Sequence, residues 1–241
     1  MSKKPNPASK RGFTIIELLV VIGIITMLMG LIIPTVNILR ENAKETQCAN
    51  NMKQWMAALN QYADENKSVF PGDGLGENET WAWYEVLPPY IGLDPYSKQI
   101  GSGKAGDVPR VPRPGGGRSL FVCPSYPTTE VLPADLAAYT YSYGMNYWIN
   151  AEKSAPELTK RMRLSQVKHP DAFIVFTETE DFNKKAVTLY PPNGKVSPPA
   201  FRHNKKVLCG FADGHVSPAN SDLARTYQWN PHFLPGEETG Q

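Results

Sequence analysis

Several side chains in this 241-residue chain could do chemistry. His203 and Asp213, with nine residues between them, pair an imidazole with a carboxylate, the composition of a general-base dyad. A strand expected over 207–212 would span about 20 Å at ~3.3 Å per residue and set the two near opposite ends, so a structural pair of turn residues is the expected role. The run Glu178-Thr179-Glu180-Asp181 clusters hard oxygen donors of the kind calcium takes, although it fits no EF-hand loop and short acidic runs are usually solvated turns. Calcium on Glu178, Glu180 and Asp181 is therefore the one cofactor the sequence offers; otherwise none is expected. Cys48, Cys123 and Cys209 permit one disulfide with three pairings, or three free buried thiols. No nucleophile elbow, H-E-x-x-H, P-loop or dinucleotide fingerprint occurs, and the four histidines, at 169, 203, 215 and 232, lack zinc-site spacing. The residues point to a protein that is not an enzyme.

The last reactive side chain is Glu17, placed in the segment that decides the class. From Phe13 to Ile33 the sequence FTIIELLVVIGIITMLMGLII has 21 residues and one ionisable group. A helix of that length spans roughly 32 Å, the thickness of a bilayer core. A carboxylate at the centre of a span is placed at roughly 2.5–3.5 kcal/mol on insertion scales, but Glu17 lies early enough to snorkel to the interface. Lys3, Lys4, Lys10 and Arg11 precede the segment without an acid, which holds the tip in the cytoplasm and sends the remainder across. Without them 21 basic face 23 acidic residues, so the +2 net charge belongs to the tip and no nucleic-acid partner is expected. A secretory signal would be shorter and end at a small-residue cleavage site.

After Pro34 the helical pattern continues. Cys48, Met52, Trp55, Met56, Leu59 and Tyr62 recur at spacings of three and four, opposite a polar face of Asn50, Asn51, Lys53 and Gln54. A helix over 13–63 would be a rod of roughly 77 Å whose second half needs a partner. Pro34 marks either a bend or the end of the membrane helix. From Asp64 onward Pro and Gly are too frequent for long helices. Residues 81–91 read as an irregular aromatic segment docked on the stripe, and 95–117 as a surface loop. Strands are expected at 173–177, 186–190 and 207–212, the last turning through Asp213-Gly214 into His215-Val216, with an irregular tail after Ser217.

The run Lys10-Arg11-Gly12-Phe13-Thr14-Ile15-Ile16-Glu17 resembles the type IV prepilin leader. The resemblance implies cleavage between Gly12 and Phe13 by a prepilin peptidase, methylation of Phe13, and an assembly role for Glu17 as partner of a neighbouring subunit's N-terminal amine, an attraction strengthened in low dielectric. Pro34 falls where many pilins carry a kinking proline. Phe201-Arg202-His203 with Phe211-Ala212-Asp213-Gly214-His215-Val216 resembles the H-x9-DG motif of bacterial pilin-like proteins, making His203, Asp213 and Gly214 a structural motif. Ser142-Tyr143-Gly144-Met145-Asn146, Cys123-Pro124-Ser125 and the run from Cys48 to Gln54 resemble the same group, and membership of those segments favours a Cys48–Cys123 disulfide. The basic Gly/Pro loop near 98–118 has no counterpart there.

The expected fold class is α+β and pilin-like, a long N-terminal helix packed on a small antiparallel sheet with long irregular loops. Its divisions are a leader at 1–12, a transmembrane helix at 13–33, an amphipathic continuation at 34–63 and an extracytoplasmic globular domain at 64–241. The implied role is a structural subunit of a type IV pilus-like or type II secretion pseudopilus filament. Its partners would be the prepilin peptidase, copies of itself or related pilin-like subunits, the membrane assembly platform and the lipid bilayer. It would be a single-pass protein of the cytoplasmic membrane with its bulk outside, including in a surface or periplasmic filament. The alternative is a non-polymerising, membrane-anchored binding module for a glycan, a surface or DNA.

Overall fold

The computed structural model describes residues 13–72, 81–99, 120–126, 142–150, 162–180, 186–187 and 197–227. One helix dominates: α1, Ile15–Glu65, runs 51 residues and continues through Pro34. It ends where Lys67 and Ser68 take positive φ of 57° and 58°. The Ser68 N–H then bonds back to the Ala63 carbonyl at 2.8 Å, and the Asn66 amide to that of Tyr62 at 2.8 Å, satisfying carbonyls left open at a helix end. The chain divides into two compact units, Met1–Asn42 and Ala43–Gln241. The second unit therefore begins inside α1.

In the first unit the helix leaves its apolar surface largely open. Among the described residues of 13–33 the large apolar side chains are exposed, from Ile15 at 81% to Ile25 at 44%, and Val36 beyond them is half-buried. The 18-residue window that could cross a membrane is wholly unburied.

In the second unit α1 behaves oppositely. Cys48, Met52, Trp55, Met56, Leu59 and Tyr62 are all buried, as their spacing predicts. Asn51, expected on the polar face, is buried as well, and its amide donates to the Tyr143 hydroxyl at 3.4 Å. Trp55 is the hub: its indole N–H donates to the Leu120 carbonyl at 3.1 Å, and its ring meets Trp83 edge-on at 5.4 Å and Phe121 at 4.9 Å. The aromatic segment after residue 81 does dock on the stripe, but as ordered short helices, α2 Trp83–Val86 and a 3₁₀ turn Pro88–Ile91, rather than irregular chain. Of the stretch expected to be loop, 100–117 lies outside the described residues. Its start is helical instead: α3, Tyr96–Gln99, is tied by the Ser97 N–H and hydroxyl to the Glu85 carboxylate at 2.9 and 2.8 Å.

The helix stripe packs against a five-stranded sheet, β1 Tyr143–Asn146, β2 Ile174–Glu178, β3 Ala186–Val187, β4 Lys206–Phe211 and β5 Val216–Asn220, in the order β3-β1-β2-β4-β5. Four strands are antiparallel neighbours and the short edge strand β3 runs parallel to β1. Both faces of the sheet are covered. On β4, Leu208 joins the core under α1, while Val207, Cys209 and Phe211 form a second cluster with Ile174, Ala219 and Ala224. Gly210 lies under the helix because a Cβ there would sit 2.6 Å from the Met56 sulfur.

Strands β2 and β4 lie within one residue of their expected ranges, and of the 186–190 range the first two residues form β3. Asp213-Gly214 turns β4 into β5, with Gly214 at φ +93°. The tail is not irregular where it is described. β5 extends to Asn220, whose side chain caps a final helix, α4 Ser221–Thr226, by accepting from the Leu223 N–H at 2.8 Å. β1, not among the strands expected, has a Gly and an Asn and no alternating pattern, yet it sits inside the sheet with all four residues buried.

Candidate functional site

Two places gather the reactive side chains. At the head of α1, Gly12 lies outside the described residues and Phe13 is 73% exposed. Thr14 and Glu17 form a reciprocal capping box: the carboxylate accepts from the Thr14 N–H at 2.9 Å and its hydroxyl at 2.8 Å, and that hydroxyl accepts from the Glu17 N–H at 3.3 Å. This places Glu17 at the third helical position, where its charge also faces the positive end of the helix dipole. The T-x-x-E spacing of Thr14 and Glu17 is the sequence signature of such a box. The carboxylate is thus held at the helix N-terminus, amid exposed Phe13, Ile15 and Ile16.

The second place is buried in the globular unit. His203 and Asp213 engage different partners. Asp213 Oδ1 lies 2.6 Å from His215 Nδ1 and accepts from the His215 N–H at 3.0 Å, while the imidazole of His215 stacks on Phe211 with centroids 4.2 Å apart. That arrangement orders the β4–β5 turn and leaves no dyad with His203. His203 instead places Nε2 3.0 Å from Glu178 Oε1 and 3.4 Å from Cys123 Sγ, with side-chain exposures of 1% for the imidazole and 0% for the carboxylate. Cys123 is bonded to Cys48, with Cα atoms 5.4 Å apart. One donor atom from each of Cys48, Cys123, Glu178 and His203 lies within 4.8 Å of the others.

Each member of this cluster comes from a different part of the chain: Cys48 from α1, Cys123 from the segment 120–126, Glu178 from the end of β2, and His203 from the turn before β4. Of the acidic run, then, Glu178 faces sulfur and imidazole in the core, Glu180 is exposed, and Asp181 lies outside the described residues. Sequence reasoning named all four cluster residues but for separate purposes, because nothing in their spacing joins them. Arg202 adds a cation beside the cluster. It donates to the Thr179 carbonyl, lies 4.7 Å over the Tyr126 ring, and is held below the usual guanidinium range by burial, against the opposing pull of Glu178. Cys209, the third cysteine, is fully buried on the other face of β4, where desolvation pushes its thiol up to about 12.

Comparison with known proteins gives two matches. Residues 38–188 match the family described as "Protein of unknown function (DUF1559)", and residues 7–33 match the "Prokaryotic N-terminal methylation motif". The first match ends before His203, so the H-x9-DG resemblance rests on the residues alone. No curated protein and no solved structure matches.

Proposed function

The chain belongs to the DUF1559 family and is a prepilin-type, pilin-like protein, and from that premise we propose that it is a structural subunit of a type IV pilus-like or pseudopilus filament. The prepilin peptidase would cut between Gly12 and Phe13 and methylate Phe13, inside the matched motif. Before assembly the helix from Phe13 to Ile33 waits in the cytoplasmic membrane, the basic tip inside and the globular unit outside. The assembly platform then draws it out against copies of itself or related subunits.

The observation that carries this reading is the first half of α1. Over 13–33 its described large apolar side chains are exposed on every side, from Ile15 at 81% to Ile25 at 44%. A surface that the chain leaves uncovered all round the helix requires lipid or neighbouring helices. A head-to-tail interface of this kind does not close into a ring and so builds a fibre. Glu17 would set the register by meeting the amine of a neighbour's Phe13, a pairing that low dielectric strengthens and a missing partner penalises.

The test separates capping from pairing. A glutamine at the third helical position still completes a capping box, so Glu17→Gln keeps the helix start while removing the charge. Intact mass of the membrane-extracted protein, made with and without peptidase, should show a chain beginning at methylated Phe13 only with the enzyme, in wild type and variant alike. Filament yield should fall at least tenfold in Glu17→Gln. A chain that keeps Met1–Gly12 beside an active peptidase overturns the processing step. Filaments of Glu17→Gln at wild-type yield overturn the ion-pair step.

A further inference from the structure

We propose that Cys48, Cys123, His203 and Glu178 form a metal site that the Cys48–Cys123 disulfide closes and reduction opens, taking one zinc-like divalent ion. The disulfide and the ion are alternative occupants of one buried cluster. Neither depends on how the filament is built.

A disulfide needs no polar company. Yet two of the most polar side chains in the core, Glu178 and His203, are turned toward this one, with His203 Nε2 3.4 Å from the sulfur of Cys123. Burying a carboxylate and an imidazole is unfavourable unless they are engaged, and the atoms nearest the disulfide, Nε2 and Oε1, engage one another at 3.0 Å. Two thiolates, an imidazole nitrogen and a carboxylate oxygen are a tetrahedral donor set for zinc, soft enough to select it over calcium or magnesium.

The surrounding hydrogen bonds fit a metal site closely. Metal-binding imidazoles fix their ring through the other nitrogen, and here His203 Nδ1 lies 3.5 Å from Ser125 Oγ. Glu178 Oε2 is held by the Leu208 N–H at 3.1 Å, leaving Oε1 toward the cluster. The sulfurs are supported too: Ser125 N–H donates to Cys123 Sγ at 3.4 Å and the Tyr143 hydroxyl to Cys48 Sγ at 3.4 Å. Each of the four residues therefore has an orienting partner outside the cluster. In the oxidised form Nε2 and Glu178 Oε1 face one another at 3.0 Å. With an ion bound, the imidazole proton would sit on Nδ1, beside Ser125 Oγ, and both Nε2 and Oε1 would turn to the metal. The sulfurs would separate to about 3.8 Å, the edge of a tetrahedron with ~2.3 Å zinc–sulfur bonds. Two thiolates and a carboxylate leave one negative charge on a site holding a divalent ion, and Arg202, which feels Glu178 electrostatically, stands beside it.

Opening the site is a two-electron reduction. A dithiol attacks one sulfur, the S–S bond breaks, the dithiol leaves as its own disulfide, and its two hydrogens appear on Cys48 and Cys123. The incoming ion then displaces both thiol protons to solvent, while the imidazole keeps its one proton on Nδ1. The disulfide ties α1 to the 120–126 segment and the ion would tie both to β2 and the approach to β4, so the fold keeps a cross-link while the chemistry at its centre changes.

The experiment uses the full chain in detergent, divided into an oxidised sample and one reduced by a phosphine, which becomes phosphine oxide with oxygen from water and does not compete for the metal as a dithiol would. Each sample is titrated with cobalt(II) as a spectroscopic probe and with zinc. The reduced protein should bind one ion per chain, with thiolate-to-cobalt charge transfer and intense tetrahedral d–d bands that zinc abolishes, and the oxidised protein none. His203→Ala and Glu178→Gln, in the reduced state, should each weaken binding at least tenfold. Reduced wild type that binds no cobalt overturns the proposal without reliance on any variant. So does unchanged affinity in both variants, which would mean that the ion sits on the thiols alone.

Discussion

Removing the disulfide by Cys48→Ala/Cys123→Ala should destabilise the globular unit by about 4.5 kcal/mol. The bond joins residues 75 apart. Closing a loop of that length removes about 15 cal/mol/K of chain entropy from the unfolded state, or about 4.5 kcal/mol at 25 °C. Domains are stable by only about 5–15 kcal/mol, so this is a third or more of the total. At ~2–4 °C of Tm per kcal/mol for a unit of this size, the midpoint should fall by roughly 9–18 °C. All five tryptophans lie beyond residue 43, and Trp55 and Trp83 are fully buried, so their emission reports unfolding of this unit and not of the membrane helix. Denaturant titration of the full chain in detergent, followed by that emission with a chelator present, gives the free energy directly. Wild type treated with reductant and chelator should lose a similar amount, since it loses the same loop closure. A loss below about 1 kcal/mol in both samples would refute the reasoning, because the unfolded chain would then gain nothing from being uncrosslinked.

Gly214→Ala should cost about 2 kcal/mol, because φ is +93° and the new Cβ would meet the Asn60 amide at 2.7 Å. Gly92→Ala, at φ +73° with open space around it, isolates the conformational part at about 1 kcal/mol, and parallel denaturation of the two variants measures the difference. Burial raises the Cys209 thiol from an ordinary value of 9.0 to about 12, so the folded state favours its neutral form. The corresponding stability is complete below pH 9 and is lost as pH rises toward about 12. Cys209 should accordingly resist alkylation at pH 8 until denaturant is added, as mass spectrometry would show; rapid labelling of the native protein would contradict its burial.

Hydropathy was enough to read α1, because its two halves carry unmistakable patterns: apolar on every side over 13–33, then one stripe from Cys48 to Tyr62. The β4–β5 hairpin was legible for a similar local reason, the Asp213-Gly214 turn between apolar runs. β1 was not, since Tyr143-Gly144-Met145-Asn146 is buried on both faces and shows no alternation; only its pairing with β2, Tyr143 opposite Glu178, makes it a strand. Asn51 was placed on the wrong face for a related reason. A polar side chain reads as exposed until a partner 92 residues away, here Tyr143, accounts for it. The metal-like cluster is the extreme case, with donors at 48, 123, 178 and 203 that only the tertiary fold brings together.

The same helix thus serves two kinds of cohesion that fail separately. Among the described residues, every member of both buried clusters lies at or beyond Cys48, and every large apolar side chain left exposed, apart from Leu223, lies at or before Leu39. Stability of the globular unit comes from its own core and cross-link, whereas the head of the helix contributes nothing to that core. A change at Glu17 should therefore alter assembly at unchanged stability, and a change at Cys48 should alter stability at unchanged processing. Distant sites without shared partners are additive, so combining the two changes should give the sum of two losses and no coupling between them. That independence lets the membrane segment answer to lipid and neighbouring helices while the globular unit holds its buried cluster in either chemical state.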